Sequence, residues 1–294
     1  MTPEQVLAIA PKALTQKQRE FYFENGYLLL AGIVPLETVE RLRQVTADLV
    51  EETRALSRSD AKWDLDRGHS PQKIKLRRLS SPCDHHPAYW EYASGAPLAD
   101  IAADLLGPDV KFHHSKLNFK ADAGGAEVEW HQDIQFWPHT NYSPLTIGTY
   151  LYDCGPQQGP LGVIAGSHKG ELFDQYGENG EWTGRIGERD LARLPLDRAQ
   201  YLCGPAGSLT IHNCRTVHGS EPNDSEAPRP LFLVTYSSAD AIPYTPNPLR
   251  SPHAGRIVRG KPARWAQHDP RPCLMPPDWS GGYTSIFALQ QQDR

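Results

Sequence analysis

Between about Val110 and Asp240 the chain is divided into short apolar runs by turn-forming residues, and this punctuation restricts the fold more than any other feature. The runs "KFHHSKLNFKA", "SPLTIGTYLYD", "GPLGVIAGS", "GSLTIHN" and "RPLFLVTYSSA" are rich in Ile, Val, Thr, Tyr and Leu and are bounded by Gly, Pro, Asn or Asp. Branched and aromatic side chains suit a pleated, half-buried surface, and the bounding residues suit turns. Many such strands late in a chain predict a closed or double-sheet antiparallel barrel of the jelly-roll or cupin kind.

The part before it, residues 1–109, reads as helical. Thr15 and Gln18 form a capping-box pattern, and Gly26 can take the left-handed position that ends that helix. "GYLLLAGIV" follows as a short strand, and Pro35 opens a helix with Val39, Leu42, Val45, Leu49 and Leu56 on one face. That stripe suits packing on the domain's own core; a dimer seam is the alternative. "APLADIAADLLG" is a further helix that stops at Gly107. The expected organisation is one domain over 1–294: the helical part, a β core at 110–240 and a C-terminal extension at 241–294. Residues 175–200 are polar and Gly-rich and read as an insertion over one mouth of the barrel, a candidate lid.

Composition excludes several partners. With 294 residues, 39% hydrophobic and 22% charged, the chain is an ordinary globular one with enough length for a core. A net charge of −5 gives no electrostatic reason to bind nucleic acid. No apolar run approaches the ~20 residues of a membrane span, and the first residues lack a secretion-signal pattern. Five cysteines without a C-x-x-C pair argue for a reducing, cytoplasmic setting.

"EWHQDIQFWPH" places His131 and Asp133 two residues apart, so on a strand both side chains can meet one ion. A third ligand is needed, and "GSLTIHNCRTVHGSEPN" offers His212 and His218. His218 is preferred because it follows the turn "NCRT" at a strand end; His212 lies inside the preceding strand, where a buried, hydrogen-bonded role suffices. Two imidazoles and a carboxylate on one face leave positions open, as suits Fe(II) that must also bind a co-substrate and O₂. Arg229 follows across the turn "GSEPNDSEAP", and its guanidinium can grip a carboxylate with two parallel hydrogen bonds.

At these residues the chain resembles the phytanoyl-CoA dioxygenase family of Fe(II)/2-oxoglutarate-dependent oxygenases. The resemblance runs through "LTQKQREFYFENGYLLLAGIVPLETVERLR", "WHQD", "GPLGVIAGSHKG", "AGSLTIHNCRTVHGS" and "HGS…R". "IAGSH" has Ala165 where the family usually has proline, which touches nothing catalytic. The resemblance implies a double-stranded β-helix with iron held by His131, Asp133 and His218. Arg229 and Ser220 would bind the distal carboxylate of 2-oxoglutarate, Asn118 and His114 would contact the co-substrate, and Lys75 aligns loosely with a lysine used by part of the family. The implied reaction oxidises a small molecule, most simply by hydroxylation, while O₂ converts 2-oxoglutarate to succinate and CO₂. Asp133 argues against a halogenase, in which a small residue replaces the carboxylate.

Gln135, Phe136, Trp137 and Tyr142, with Ile134, are expected to line the substrate pocket. In "KIKLRRL", alternation would put Lys73, Lys75 and Arg77 on one face, either toward an anionic substrate or as a solvated edge. Asp84, His85 and His86 are assigned to a surface loop and, like His113, to no metal role, and His168 to a structural one. The partner expected is a small-molecule substrate, with neither nucleic acid nor membrane, for a monomer or homodimer. A cupin-like zinc or manganese hydrolase or isomerase would use the triad without Arg229; a non-catalytic metal and 2-oxoglutarate sensor would keep the fold without turnover.

Overall fold

The structure is a computed structural model that describes residues 1–120, 127–281 and 285–290. Helices α1 (Pro3–Leu7) and α2 (Gln16–Asn25), strand β1 (Tyr27–Leu30) and helix α3 (Leu36–Glu51) open the chain. Strands β2 (Trp63–Leu65) and β3 (Leu76–Ser80) and helices α4 (Pro82–His85), α5 (Pro87–Ser94) and α6 (Leu98–Leu106) follow. The β-rich part holds β4 (Val110–Asn118), β5 (Val128–His131), β6 (Leu145–Tyr150) and β7 (Leu161–Val163). After the short helix α7 (Glu188–Leu191) come β8 (Gln200–Leu202), β9 (Leu209–Asn213), β10 (His218–Ser220) and β11 (Leu231–Ser238). The C-terminal part adds β12 (Ile257–Arg259) and α8 (Ile286–Gln290).

Two antiparallel sheets form a double-stranded β-helix. The larger runs β1-β9-β6-β11-β4-β3-β2, with β12 also on β4, and the smaller runs β5-β10-β7-β8. Alternation divides the larger sheet by face. Phe232, Val234 and Tyr236 of β11, with Leu145 and Ile147 of β6 and Ile211 of β9, join the apolar core beneath the helices. Val39, Leu42, Val45 and Leu49 of α3 are all buried in that core, so the apolar stripe faces its own domain. The other face carries polar groups in transverse rows. His212, Thr146, Thr235 and His114 are register partners across β9, β6, β11 and β4. The adjacent row holds Thr210, Gly148, Leu233 and Lys116. Gly148 is required there: a Cβ would sit 2.6 Å from Thr210 Oγ1 and 3.0 Å from Leu231 and Leu233.

Local signals place the helices. Thr15 and Gln18 form the reciprocal cap of α2, and Gly26 ends it at φ 79°. The expected loop at Asp84–His86 is instead the helical turn α4 running into α5, with His86 Nδ1 accepting from the Ala88 amide (3.1 Å). No described helix is long and apolar enough to cross a membrane. Residues 241–281 and 285–290 do more than cover the outside, as Pro248, Leu249, Ile286 and Phe287 reach the inner cavities.

Asp104 of α6 ties the N-terminal segment down. Its carboxylate accepts from the amides of Lys12 (2.7 Å), Ala13 (2.8 Å) and Leu14 (2.8 Å), while its carbonyl accepts from Arg19 Nε at 2.9 Å. Charge-assisted hydrogen bonds are among the stronger ones. Asp104→Ala should therefore cost roughly 2–4 kcal/mol, read as a lowered urea midpoint; an unchanged midpoint would show that these bonds are replaced by water without loss.

Candidate metal centre

His131 ends β5 and His218 begins β10, and the two are register partners across that antiparallel pair. Their rings lie with centroids 4.2 Å apart. Asp133 follows on a 3₁₀ turn, Asp133–Gln135, which turns its carboxylate back toward both rings. Asp133 Oδ1 is 3.8 Å from Nε2 of His131 and 3.8 Å from Nε2 of His218. All three residues are buried, and their ligand atoms lie within 4.8 Å of one another.

Hydrogen bonds fix each ligand's orientation. His131 Nδ1–H donates to Glu129 O (2.7 Å) and His218 Nδ1–H to Thr216 O (2.9 Å). A carbonyl can only accept, so both rings leave Nε2 free as a lone-pair donor to a metal. Asp133 Oδ2 is held separately, accepting from Thr146 Oγ1 (3.3 Å) and His212 Nε2 (3.3 Å). The two carboxylate oxygens thus face different partners, and Oδ1 is the one presented to the imidazoles. Thr146 bonds Thr235 (2.9 Å), and Thr235 meets His114 Nε2 (3.3 Å), so the whole polar row is linked.

Burial opposes the charge on Asp133, but Lys116, then His218 and His212, outweigh it and hold the carboxyl well below its usual range. Burial likewise pushes His131 down to about 4 and His218 well below its ordinary value. Neutral imidazoles beside an ionised carboxylate are the protonation states metal ligation needs.

The centre stands between two cavities. One is lined by His131, His212, His218, Asn118, Ser220 and Arg229, together with Lys116, Lys120 and Phe287. Arg229, just before β11, is 4% exposed and donates from Nη2 to Gly159 O (2.5 Å). The Asn118 amide oxygen is buried and has no hydrogen-bond partner among the described residues. The other cavity is lined by Asp133, His114, Phe136, Trp137, Arg78 and Lys116, with Pro248, Leu249 and Ile286 closing it.

These placements sort the expected residues. His114 lies on the Asp133 side rather than with Arg229. Phe136 and Trp137 line the Asp133-side cavity, whereas Gln135 is buried with its amide on Phe173 O. Tyr142 packs elsewhere, between the Arg215 and Arg271 guanidiniums, 4.5 and 4.9 Å from its ring centre. Lys75 lines neither cavity: it precedes β3, and Arg77, which the alternation put on the same face, pairs with Asp66 (3.0 Å). Arg78, of opposite parity, points inward. His113 occupies a register shift in β4 and is buried, its Nδ1 2.6 Å from that of His114. His168 donates from Nε2 to Phe23 O (3.1 Å) beside α2. Lys116 and Lys120 were not singled out in the sequence, although Lys116 alternates with His114 and Asn118 on one strand face. Lys120 is 2% exposed and donates to Ser220 O (3.3 Å).

A profile of the phytanoyl-CoA dioxygenase (PhyH) family matches residues 22–231. The chain belongs to the phytanoyl-CoA dioxygenase family. Among its relatives, a probable alpha-ketoglutarate-dependent hypophosphite dioxygenase of Stutzerimonas stutzeri is 32% identical over 78% of this chain and 80% of its own. An ectoine dioxygenase of Sphingopyxis alaskensis is 27% identical over 85% of each chain. The crystal structure of EctD from S. alaskensis with bound Fe superposes with a TM-score of 0.67 at 26% identity, covering 88% of both chains.

Two buried histidines away from the ligand set generate a pH expectation. Burial holds His139 down to about 4 and His114 to about 3. Unfolded, each accepts a proton near pH ~6.5; folded, each refuses it until far lower pH. Stability from these sites is therefore full above that value and falls as pH drops through 6 toward 4, by about 1.4 kcal/mol per pH unit for each histidine. The urea midpoint of the metal-free protein should be lower at pH 5 than at pH 7.5, and His139→Gln should flatten that dependence.

Proposed function

We propose that His131, Asp133 and His218 hold the Fe(II) of a 2-oxoglutarate-dependent dioxygenase that oxidises a small organic molecule, most simply by hydroxylation. The observation that carries this reading is the buried triad opening onto a cavity that Arg229 also lines, with an Asn118 amide oxygen that has no partner among the described residues. Two neutral imidazoles and one carboxylate oxygen suit ferrous iron, and positions remain for a chelating co-substrate and O₂. Arg229 supports 2-oxoglutarate over a hydrolytic zinc or manganese reading, which has no use for a buried carboxylate clamp. Bound there, iron and 2-oxoglutarate supply the oxidant, with O₂ consumed and succinate and CO₂ released.

The chain's own contribution is to hold and to exclude. The Glu129 and Thr216 carbonyls fix the two imidazoles, while Thr146 and His212 keep Asp133 Oδ2 occupied. Arg229 receives the distal carboxylate of the co-substrate, with Ser220 and Asn118 alongside it. Lys120 lies next to Arg229, and burial followed by that guanidinium holds its ammonium well below the usual lysine range. Phe136, Trp137 and Ile286 keep water from the Asp133 side, which strengthens every charge interaction inside. The relatives' named substrates, hypophosphite and ectoine, support a small polar substrate. Five free thiols support a reducing, cytoplasmic setting.

Anaerobic titration with Fe(II) and 2-oxoglutarate should produce a weak visible charge-transfer band, and His218→Ala should abolish it. Arg229→Ala should raise the 2-oxoglutarate Kd at least tenfold while iron affinity changes less than threefold; equal losses would remove Arg229 from its assigned place. Succinate release that needs Fe(II) and O₂ completes the test, and a protein that binds both ligands yet never releases succinate is a sensor instead.

A further inference from the structure

The cavity on the Asp133 side carries a charge pattern that the chemistry above does not use. Arg78 and Asn118 are register partners, as are Ser80 and Lys116, so β3 and β4 bring Arg78 and Lys116 onto the same inward face. Arg78 is 4% exposed. Both cations line the cavity, and the only carboxylate in that described lining is Asp133, which belongs to the metal. Iron(II), Asp133, the doubly charged 2-oxoglutarate and Arg229 would together carry no net charge, and Arg78 and Lys116 are the arginine and lysine that line the Asp133 side. The rest of the wall is His114 and the largely apolar set Phe136, Trp137, Pro248, Leu249 and Ile286. Such apolar surroundings lower the local dielectric and strengthen attraction for an anion.

Resting on the assignment of the metal centre above, we propose that this cavity binds an anionic substrate, a small molecule bearing a phosphorus oxyanion or a carboxylate, through the Arg78 guanidinium and the Lys116 ammonium. The guanidinium fork matches either oxyanion with parallel hydrogen bonds, and the ammonium adds a point charge. Burial, the attraction of Asp133 and the repulsion of Arg78 all act on Lys116; an anion between the two cations offsets that repulsion. The cavity volume is about 30 Å³ here and about 50 Å³ on the Arg229 side, which restricts the anion to a compact one. Because Arg78 lines this cavity and not the other, it separates substrate binding from co-substrate binding.

The test uses the anaerobic holoprotein loaded with Fe(II) and 2-oxoglutarate, with its visible band as the readout. Hypophosphite, ethylphosphonate and butanoate are the anionic probes; butanamide and 1-butanol are the neutral ones. Anions should perturb the band at millimolar concentration and neutral probes should not, and whether the phosphorus or the carboxylate probes bind more tightly identifies the oxyanion. Arg78→Gln should raise the anion Kd at least tenfold while the 2-oxoglutarate Kd stays within threefold, with Arg78→Lys recovering part of the loss. Lys116→Gln should weaken the anion in the same direction. Neutral probes acting as well as anions, or no anion acting at all, overturns the proposal. So does an Arg78→Gln protein that loses 2-oxoglutarate as severely as Arg229→Ala, since Arg78 then serves the co-substrate. If the wild-type protein forms no band, the iron and 2-oxoglutarate reading itself fails, and this proposal with it.

Discussion

A carboxylate buried between two sheets stays ionised only if donors and positive charge surround it. Asp133 has both. One oxygen is held by Thr146 and His212, the other faces two imidazoles, and Lys116 stands near enough to act on its charge. The arrangement depends on strand register, because His212, Thr146, Thr235 and His114 share one row across four strands. A shift of one residue in any of these strands would turn its polar member into the apolar core. The core beneath the helices therefore fixes the centre as firmly as the centre's own hydrogen bonds do.

The same row explains why the neighbouring histidines differ. His131 and His218 use Nδ1 on backbone carbonyls and offer Nε2, whereas His212 spends Nε2 on Asp133 and keeps a buried Nδ1 without a partner among the described residues. Proximity alone does not make a ligand; the free nitrogen has to face the ion. His212 instead steadies the carboxylate, through Asp133 Oδ2.

Much of this was legible in the chain. The capping residues of α2, the stripe of α3 and the short strands followed from local chemistry that tertiary contacts reinforce. His131 and Asp133 stood out because two polar ligands in a hydrophobic run need a reason, and His218 and Arg229 because a turn separates them. What could not be read was the direction of "KIKLRRL". Alternation says that Lys75 and Arg77 oppose Arg78, but only pairing with β4 decides which set points inward. Lys116 was hidden differently, as one lysine in a strand whose histidines drew attention. Residues 241–290 lack any period, so nothing in the sequence indicated that Leu249, Ile286 and Phe287 reach the cavities.

That last feature has a bearing on how the protein matures. The metal ligands and Arg229 leave the ribosome well before Ile286 and Phe287, so a nascent chain can complete its ligand set while one wall is still missing. Domains generally fold as the chain emerges. During that interval the centre is open to solvent and to small ions on the side later covered by α8. The wall formed by Ile286 and Phe287 is thus the last part of the enclosure to be synthesised.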